Sequence, residues 1–261
     1  MGWLSRITIY PIKSLPGASV SSVRILPSAA LELDRRFALV DSSGQLITAK
    51  RTVAVHCIRT EYDLSEMRVG LSRSSPPAPV TWFSLLGRRH ALEEWFSDYF
   101  RDTVVMEDAP RAGVPDDLEA GGPTIIAEET LHVIADWFDG LAVDEIRRRF
   151  RTNLEVSGCG PFWEDRLYAH PGAGRRFRVG SVELAGARPC QRCPVPARDS
   201  VTGEVTAGFI GTFSQRRRDT LPDWAERSWF DHFYRLATNT VLPEQAGGEI
   251  AVGQGVELTS R

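Results

Sequence analysis

The chain has 261 residues, 42% of them hydrophobic and 25% charged, with 34 acidic against 31 basic side chains. That is the profile of an ordinary globular protein with enough chain to bury a sizeable core in one large domain or two packed small ones. A formal net charge of −3 excludes a general nucleic-acid binder, which needs a basic excess to displace phosphate counterions, so any basic site must be local.

Short apolar and β-branched runs over 6–10, 19–26, 36–40, 46–48 and 53–60 predict strands. FALV, the polar turn DSSG and QLIT read together as a β-hairpin. The proline-rich stretch 72–79 is expected to be a surface loop, because proline removes backbone donors. Leu92, Trp95, Phe96 and Tyr99 recur at helical spacing and predict a helix over 91–100; Leu131, Ile134, Ala135 and Phe138 predict a second over 129–138. Between them, 107–123 holds three prolines and three glycines and reads as a linker. Strand-like segments follow over 153–156, 177–185 and 248–258. The count gives a β-rich α+β protein. No glycine-rich phosphate loop opens a helix after a strand, which leaves neither a Rossmann nor a Walker-type reading.

No run of eighteen apolar residues occurs, and the start MGWLSRITIYPIK lacks the pattern of a signal peptide. The expectation is a cytoplasmic protein, away from membranes, with Cys57, Cys159, Cys190 and Cys193 kept as thiols. Cys57 and Cys159 read as small buried hydrophobes. The sharpest local signal is RPCQRCP at 188–194. Two cysteines separated by two residues can form a redox pair, half a zinc site, or one activated thiolate beside an inert neighbour. The five histidines are scattered singly and there is no second cysteine pair, which disfavours zinc. Flanking prolines and an upstream strand disfavour a thioredoxin-like pair. Arg188 and Arg192 beside the thiols favour the third reading, a soft ligand for a metal that its cofactor supplies.

Separated cations supply the second signal. The arginine runs 147–149 and 216–218 read as solvated faces. Arg36 and Arg151 each adjoin a phenylalanine at a strand edge, where a guanidinium can bind phosphate through two hydrogen bonds. Only Lys13 and Lys50 are lysines, against 29 arginines, so Lys13 departs from the chain's own habit and suggests that a compact ammonium is needed. Together these point to one anionic ligand.

YPIKSLPG at 10–17, LDRRF at 33–37, FRTNLEVSGCGPFWED at 150–165 and RPCQRCPVPARDSVTGE at 188–204 resemble, in order, the motifs of MOSC proteins with an N-terminal MOSC-type β-barrel extension. That group includes the mitochondrial amidoxime-reducing component and its bacterial relatives. The resemblance implies a MOSC-type β-barrel with an N-terminal barrel-like region over 1–112 and a MOSC domain over 113–261. It also implies the molybdenum cofactor, a pyranopterin whose dithiolene holds the metal, with Cys193 as metal ligand and catalytic residue. Its cofactor contacts carry over onto Lys13, Ser14, Arg36, Arg151, Asn153, Gln191, Arg192 and, through FDHF, Phe233. Asn153 would offer its amide to the pterin edge as donor and acceptor. Asp199 and Gly203 shape the turn after the ligand strand, and Glu164 and Asp165 support the structure around it. The implied activity is two-electron reduction of N-hydroxylated or N-oxide small molecules; the alternative is a cofactor carrier or persulfide relay without turnover. Because no cysteine follows Cys193 to ligate an iron–sulfur cluster, electrons are expected from a separate ferredoxin or flavin reductase. A pyridoxal-phosphate domain and a membrane anchor, present in some relatives, are not expected.

Overall fold

The computed structural model describes residues 2–74, 76–171, 173–243 and 247–259. In chain order the N-terminal region supplies β1 (Gly2–Ile9), β2 (Ala18–Val20), β3 (Ser22–Ile25), β4 (Phe37–Val40), β5 (Ile58–Asp63), β6 (Arg68–Arg73), β7 (Thr81–Ser84), α1 (His90–Phe100) and β8 (Val105–Asp108). The remainder supplies β9 (Ile125–Ala127), α2 (Glu128–Ala135), α3 (Val143–Phe150), β10 (Leu154–Ser157), β11 (Arg176–Val179), β12 (Val182–Gln191), α4 (Phe209–Asp219), β13 (Arg235–Val241), β14 (Gly248–Ala251) and β15 (Gly255–Leu258).

Seven strands close into a barrel in the order β10, β9, β13, β12, β11, β15, β1, with β1 pairing back onto β10. Closure satisfies backbone groups that an open sheet would leave at its edges. Strand β1 pairs with both β10 and β15, so the N-terminal region contributes a stave to the barrel. Strands β9 and β10 are parallel, and the chain between them carries α2 and α3, the crossover that a parallel pair requires. The pleat sorts the side chains of β9: Ile125 and Ala127 join Leu4, Ile7, Leu154 and Val156 in the barrel core. Ile126 faces the other way, under Leu131, Ile146, Phe150 and Phe213 of the helices. A further core, with Phe37, Leu39, Ile58, Leu71, Leu92, Phe96 and Met106, belongs to the pair β4–β8, the sheet β5–β6–β7 and α1.

Most predicted elements fall near their expected places. The 53–60 run divides, with a 3₁₀ turn over Val53–Cys57 that buries Val55 and His56 before β5 begins. In the predicted hairpin the turn forms, Asp41 N donating to Gln45 O at 2.9 Å, yet the second arm makes only a bridge at Leu46, and β4 takes β8 as its ladder partner. Helix α4 went unpredicted, because its sequence FIGTFSQRRRD buries little apolar surface beyond Phe209 and Phe213. Ser75, inside the expected 72–79 loop, lies outside the described residues; 76–79 are exposed. No helix among the described residues is long and apolar enough to cross a membrane.

Beneath the barrel wall, Glu164 and Asp165 are almost fully buried. Glu164 Oε2 accepts from Ala127 N at 3.1 Å and Thr130 Oγ1 at 3.0 Å, which ties a 3₁₀ turn to the start of α2. Burial, and then the Asp165 charge, push the Glu164 carboxyl up to about 8. The folded chain therefore holds a proton there that the unfolded chain releases near 4.5, so stability falls as pH rises through the window from 4.5 to 8. The slope can reach roughly 1.4 kcal/mol per pH unit. Glu164→Gln keeps the shape without the titration, and urea unfolding between pH 5 and pH 8 is expected to show a flatter stability profile than wild type. Identical profiles would show that Glu164 does not titrate in this window.

Candidate functional site

One end of the barrel, the N-terminal core and the 107–123 stretch surround a cavity of about 860 Å³. Its wall carries eight cationic side chains, Lys13, Arg35, Lys50, Arg149, Arg151, Arg188, Arg192 and Arg235, against two carboxylates, Asp116 and Asp117. In a chain of net charge −3 this is a local concentration of cations, although Arg35, Arg149, Arg188 and Arg235 also pair with carboxylates outside the wall. Both lysines of the protein are on this wall. The same wall holds Cys190 and Cys193.

The cations reach the cavity through strained local backbone. Arg35 and Arg151 adopt φ of 50° and 52°, and Ser14 adopts 71°, a region non-glycine residues seldom enter. Arg151 caps the C-terminus of α3 where glycine is usual, its N–H donating to Arg147 O at 3.0 Å. Its guanidinium lies 4.1 Å from the centroid of the Tyr10 ring, with Arg35 at 5.5 Å from the same ring. Tyr10 is a buried post, its hydroxyl donating to Thr152 O at 3.2 Å, and burial raises its pKa to about 12. Burial holds the Arg151 pKa below its ordinary value, and so does Arg35. Lys13 is 6% exposed; its Nζ donates to Val114 O at 2.8 Å and to Asp116 Oδ1 at 2.9 Å. Burial lowers the Lys13 pKa in spite of Asp116. Burial pushes the Asp116 carboxyl up, but Lys13, Arg35 and Lys50 more than offset that, and it lies below the usual carboxylate range.

Strand β12 delivers the cysteines. Its register against β13 slips between Gly186 and Arg188 and again between Pro189 and Gln191, where Ala237 on β13 takes a φ of 66°. Such irregularities re-aim side chains and let proline sit inside a sheet. At Gly186 an added Cβ would stand 2.2 Å from Leu167 O, so only glycine allows the strand to pass. Arg192 NH1 donates to Cys190 Sγ at 3.2 Å, and the Arg192 guanidinium stacks 5.3 Å from the Phe150 ring centroid. Arg188 is taken by Asp117, with Nε at 3.2 Å and NH2 at 2.6 Å, and by Glu119 at 2.9 Å. It therefore braces the 107–123 stretch. The Nε atoms of Arg192 and Arg235 and the Tyr234 hydroxyl are buried with no partner among the described residues.

Of the nine residues expected at the site, the structure brings together seven: Lys13, Ser14, Arg151, Asn153, Gln191, Arg192 and Cys193. Asn153 has both ends of its amide engaged, Nδ2 donating to Thr8 O at 3.1 Å and Oδ1 accepting from Thr124 N at 3.2 Å, so it shapes the wall. Arg36 does not line the cavity. Its Nε donates to Asp108 Oδ1 at 2.8 Å and its guanidinium lies over Phe37, because β4 pairs Phe37 with Asp108 of β8. The neighbouring Arg35 turns inward instead. Phe233 also lies elsewhere, stacked 5.8 Å from Phe230 and under Arg218. The aromatics on the wall are Phe150 and Trp229, and Trp229 Nε1 donates to Ala169 O at 2.6 Å.

The arginine runs are not wholly solvated. Arg149 is 3% exposed and bound by Glu145 at 2.6 Å, and Arg217 is buried against Asp165. The expected linker proves to be part of the site, since it supplies Asp116 and Asp117. Asp199 shapes its turn as expected, its Oδ1 accepting from the N–H groups of Val201 and Thr202 at 2.8 Å each. Cys159 stands outside the cavity, its thiol raised to about 11 by burial and then by Glu129. Cys57 is a half-buried residue whose Sγ donates to Thr202 O at 3.8 Å.

Lys13→Ala removes a charge-assisted contact and leaves Asp116 facing an incoming anion, so ligand affinity is expected to fall roughly tenfold to hundredfold. Titration of the protein with the cofactor that the sequence resemblance implies, at several concentrations, measures it. An unchanged dissociation constant would remove Lys13 from the binding surface. Arg36→Gln should change that constant by less than about twofold, since only an exposed ion pair is lost, whereas Arg35→Gln should weaken binding as Lys13→Ala does.

The cavity and its cysteines can be set beside known proteins. A model of the MOSC N-terminal beta barrel domain matches residues 1–84, and a model of the MOSC domain matches residues 125–257. A molybdenum cofactor sulfurase of Oryza sativa subsp. japonica is 27% identical over 77% of this chain and 29% of its own length. One from Arabidopsis thaliana is 23% identical over 73% of this chain and 28% of its own length. The chain thus spans under a third of these curated relatives. The solved YUAD protein of Bacillus subtilis aligns over 98% of this chain and 95% of its own at 10% identity, with a TM-score of 0.37.

Proposed function

This chain belongs to the MOSC family, and from that premise we propose that it binds the molybdenum cofactor in the cationic cavity and reduces N-hydroxylated or N-oxide small molecules. The observation that carries the reading is the meeting of a cysteine pair with eight cationic side chains on one wall. The residues fit the group on three counts. Cys193 offers a soft thiolate to a high-valent metal. Lys13, Arg35 and Arg151 offer charge-assisted donors to a phosphate. Arg192 and Arg235 each keep at the wall a buried Nε with no partner among the described residues. No cluster of three or more metal-ligating side chains occurs among the described residues, so a metal at Cys193 needs an organic ligand that brings further donors.

When bound, the cofactor supplies the two-electron oxygen-removal chemistry. In overall balance an N-hydroxylated compound, two electrons and two protons give the reduced nitrogen compound and water. The chain's own part is to position: Arg192 holds Cys190 aside by its 3.2 Å contact, and Trp229 and the exposed Leu118 give the wall an apolar surface for an organic substrate. The electrons come from a separate ferredoxin or flavin reductase that docks near the cavity mouth. The test is molybdenum and pterin content of protein from a cofactor-competent host, followed by turnover of hydroxylamines and amidoximes with a reduced dye. Absence of molybdenum and pterin would end the cofactor reading.

A second reading is favoured by the contact of Arg192 with Cys190, which suits a thiol that carries a persulfide, and by the cofactor sulfurases among the relatives. Here the protein carries the cofactor or relays sulfur to it. Stoichiometric cofactor with no turnover on any of those substrates would select this reading.

A further inference from the structure

Residues 114–122 form a strap along the cavity, with Pro115, Asp116, Asp117, Leu118, Ala120 and Gly122 on its wall. Both ends are pinned to backbone. At one end Gly113 N donates to Ala109 O at 2.9 Å and Val114 N to Arg35 O at 2.8 Å. Gly113 has a φ of 64°, and a Cβ there would stand 2.5 Å from Asp34 O, so only glycine serves. At the other end Gly122 N donates to Thr240 O at 3.0 Å, and an added Cβ would stand 2.5 Å from the same oxygen.

Between these pins, residues 115–121 make no backbone-to-backbone hydrogen bond among the described residues, and Leu118 is 87% exposed. Charge holds the span instead. Asp116 Oδ1 lies 2.9 Å from Lys13 Nζ and 3.7 Å from Lys50 Nζ. Asp117 takes Arg188 at 2.6 Å and accepts from Asn239 Nδ2 at 2.8 Å, and Glu119 takes Arg188 at 2.9 Å. The strap thus ties the N-terminal region, through the two lysines, to β12 and β13 of the barrel. These ties are soft, because the Asp116 side chain is 58% exposed and that of Glu119 81%, and ion pairs that water reaches are weak and screened by salt. Lys13, Lys50 and Arg188 also face the cavity, so the strap carboxylates stand where an entering anion would find its partners.

We propose that the 114–122 strap is an acid latch on the cavity. An anion that enters takes Lys13, Lys50 and Arg188 from Asp116 and Asp117, and the strap swings outward about its glycine ends. The ligand that releases it carries at least two negative charges, as a diphosphate or a phosphate monoester does, because one charge answers only one end of the latch. Ligand and strap compete for the same cations, so each weakens the hold of the other by the same factor. The inference rests on the reading of the cavity as an anion site and is independent of which anion fills it.

The test is limited proteolysis of the full chain by a glutamate-specific protease, with inorganic pyrophosphate as the probe and acetate as the single-charge control at equal ionic strength. The bond after Glu119 is guarded while the strap is down, because Ala120 on its far side is 5% exposed. Cleavage there tracks the population of the open strap. The cut after exposed Glu66, in the turn between β5 and β6 and off the cavity wall, corrects for any action of the anion on the protease. In wild type, pyrophosphate is expected to speed the Glu119 cut at least about fivefold relative to the Glu66 cut, with a midpoint equal to its calorimetric dissociation constant, and acetate is expected to change it little. Asp116→Asn with Asp117→Asn keeps both shapes and removes both charges. That variant should be cut rapidly without any anion, respond to pyrophosphate by less than about twofold, and bind it at least about fivefold more tightly than wild type. Glu183→Gln, which breaks an exposed ion pair with Arg176, should behave as wild type. Thermal unfolding confirms that each variant is folded, and the wild-type response decides the matter without them. A Glu119 cut that slows or holds constant while pyrophosphate binds, a double variant as resistant as wild type, or no binding of pyrophosphate to either protein would overturn the latch. Molybdenum and pterin content reports separately on the cofactor reading, so a strap released by pyrophosphate in a protein that carries no molybdenum leaves the latch standing and that reading fallen.

Discussion

Cys193→Ser is expected to lower molybdenum-dependent turnover by at least about a hundredfold, beyond the effect of losing a residue that merely orients a metal ligand. The substitution keeps the side-chain size and exchanges a thiolate for a hydroxyl that stays protonated at neutral pH, so what is lost is the soft, charged donor. Packing around position 193 should survive, because Cys193 is half-buried and its neighbours Pro194 and Val195 hold the following 3₁₀ turn. On the proposed reading pterin content should fall less than activity, since Lys13, Arg35 and Arg151 remain on the wall as donors for a phosphate. Cys190→Ser gives the complementary result. Under the reductase reading it changes turnover little, whereas under the relay reading it removes sulfur transfer. Equal turnover and equal molybdenum in wild type and Cys193→Ser would overturn the ligand assignment.

Staves β1, β10, β11, β15 and the start of β12 lie in short apolar, β-branched runs that predict strands, whereas β9 and β13 are buried on both faces, carry no period of two and are not among the predicted strands. Closure of β1 onto β10 could not be read from the sequence, since pairing across about 150 residues leaves no local mark. Arg36 and Arg35 show the same limit at one residue's resolution. Both stand in LDRRF, and which one faces the cavity is decided by the pairing of Phe37 with Asp108, 71 residues away. The stretch 107–123 was read as a linker because proline and glycine signal irregular backbone. They do not signal that Asp116 and Asp117 are anchored by Lys13 and Arg188. The lysine bias was the better guide, and applied to Lys50 as well as Lys13 it finds a second wall residue.

Arginine runs were the deepest misreading, and Arg217 sets the largest stability effect expected in this protein. Its side chain is 1% exposed, as is that of its partner Asp165. The guanidinium lies 4.6 Å from the Phe162 ring centroid and 5.2 Å from that of Phe230, and Nε donates to Arg235 O at 3.4 Å. Tyr168 also donates to Asp165, at 2.8 Å. Arg217→Met fills similar space but leaves Asp165 buried beside Glu164 with no cation, so it is expected to cost about 3–5 kcal/mol. Arg217→Met combined with Asp165→Asn removes both charges and should recover most of that loss, because a buried pair replaced as a unit is often near neutral. Urea unfolding of wild type, the two single variants and the double variant closes the cycle. A cost below about 1 kcal/mol for Arg217→Met would mean that water reaches the pair, and additive single effects would mean that the two charges do not act together. The effect should also reach the cavity, since Arg217 steadies the backbone of Arg235, a wall residue at the start of β13. A folded Arg217→Met protein is therefore expected to bind the anionic ligand more weakly, although Arg217 itself stands outside the cavity.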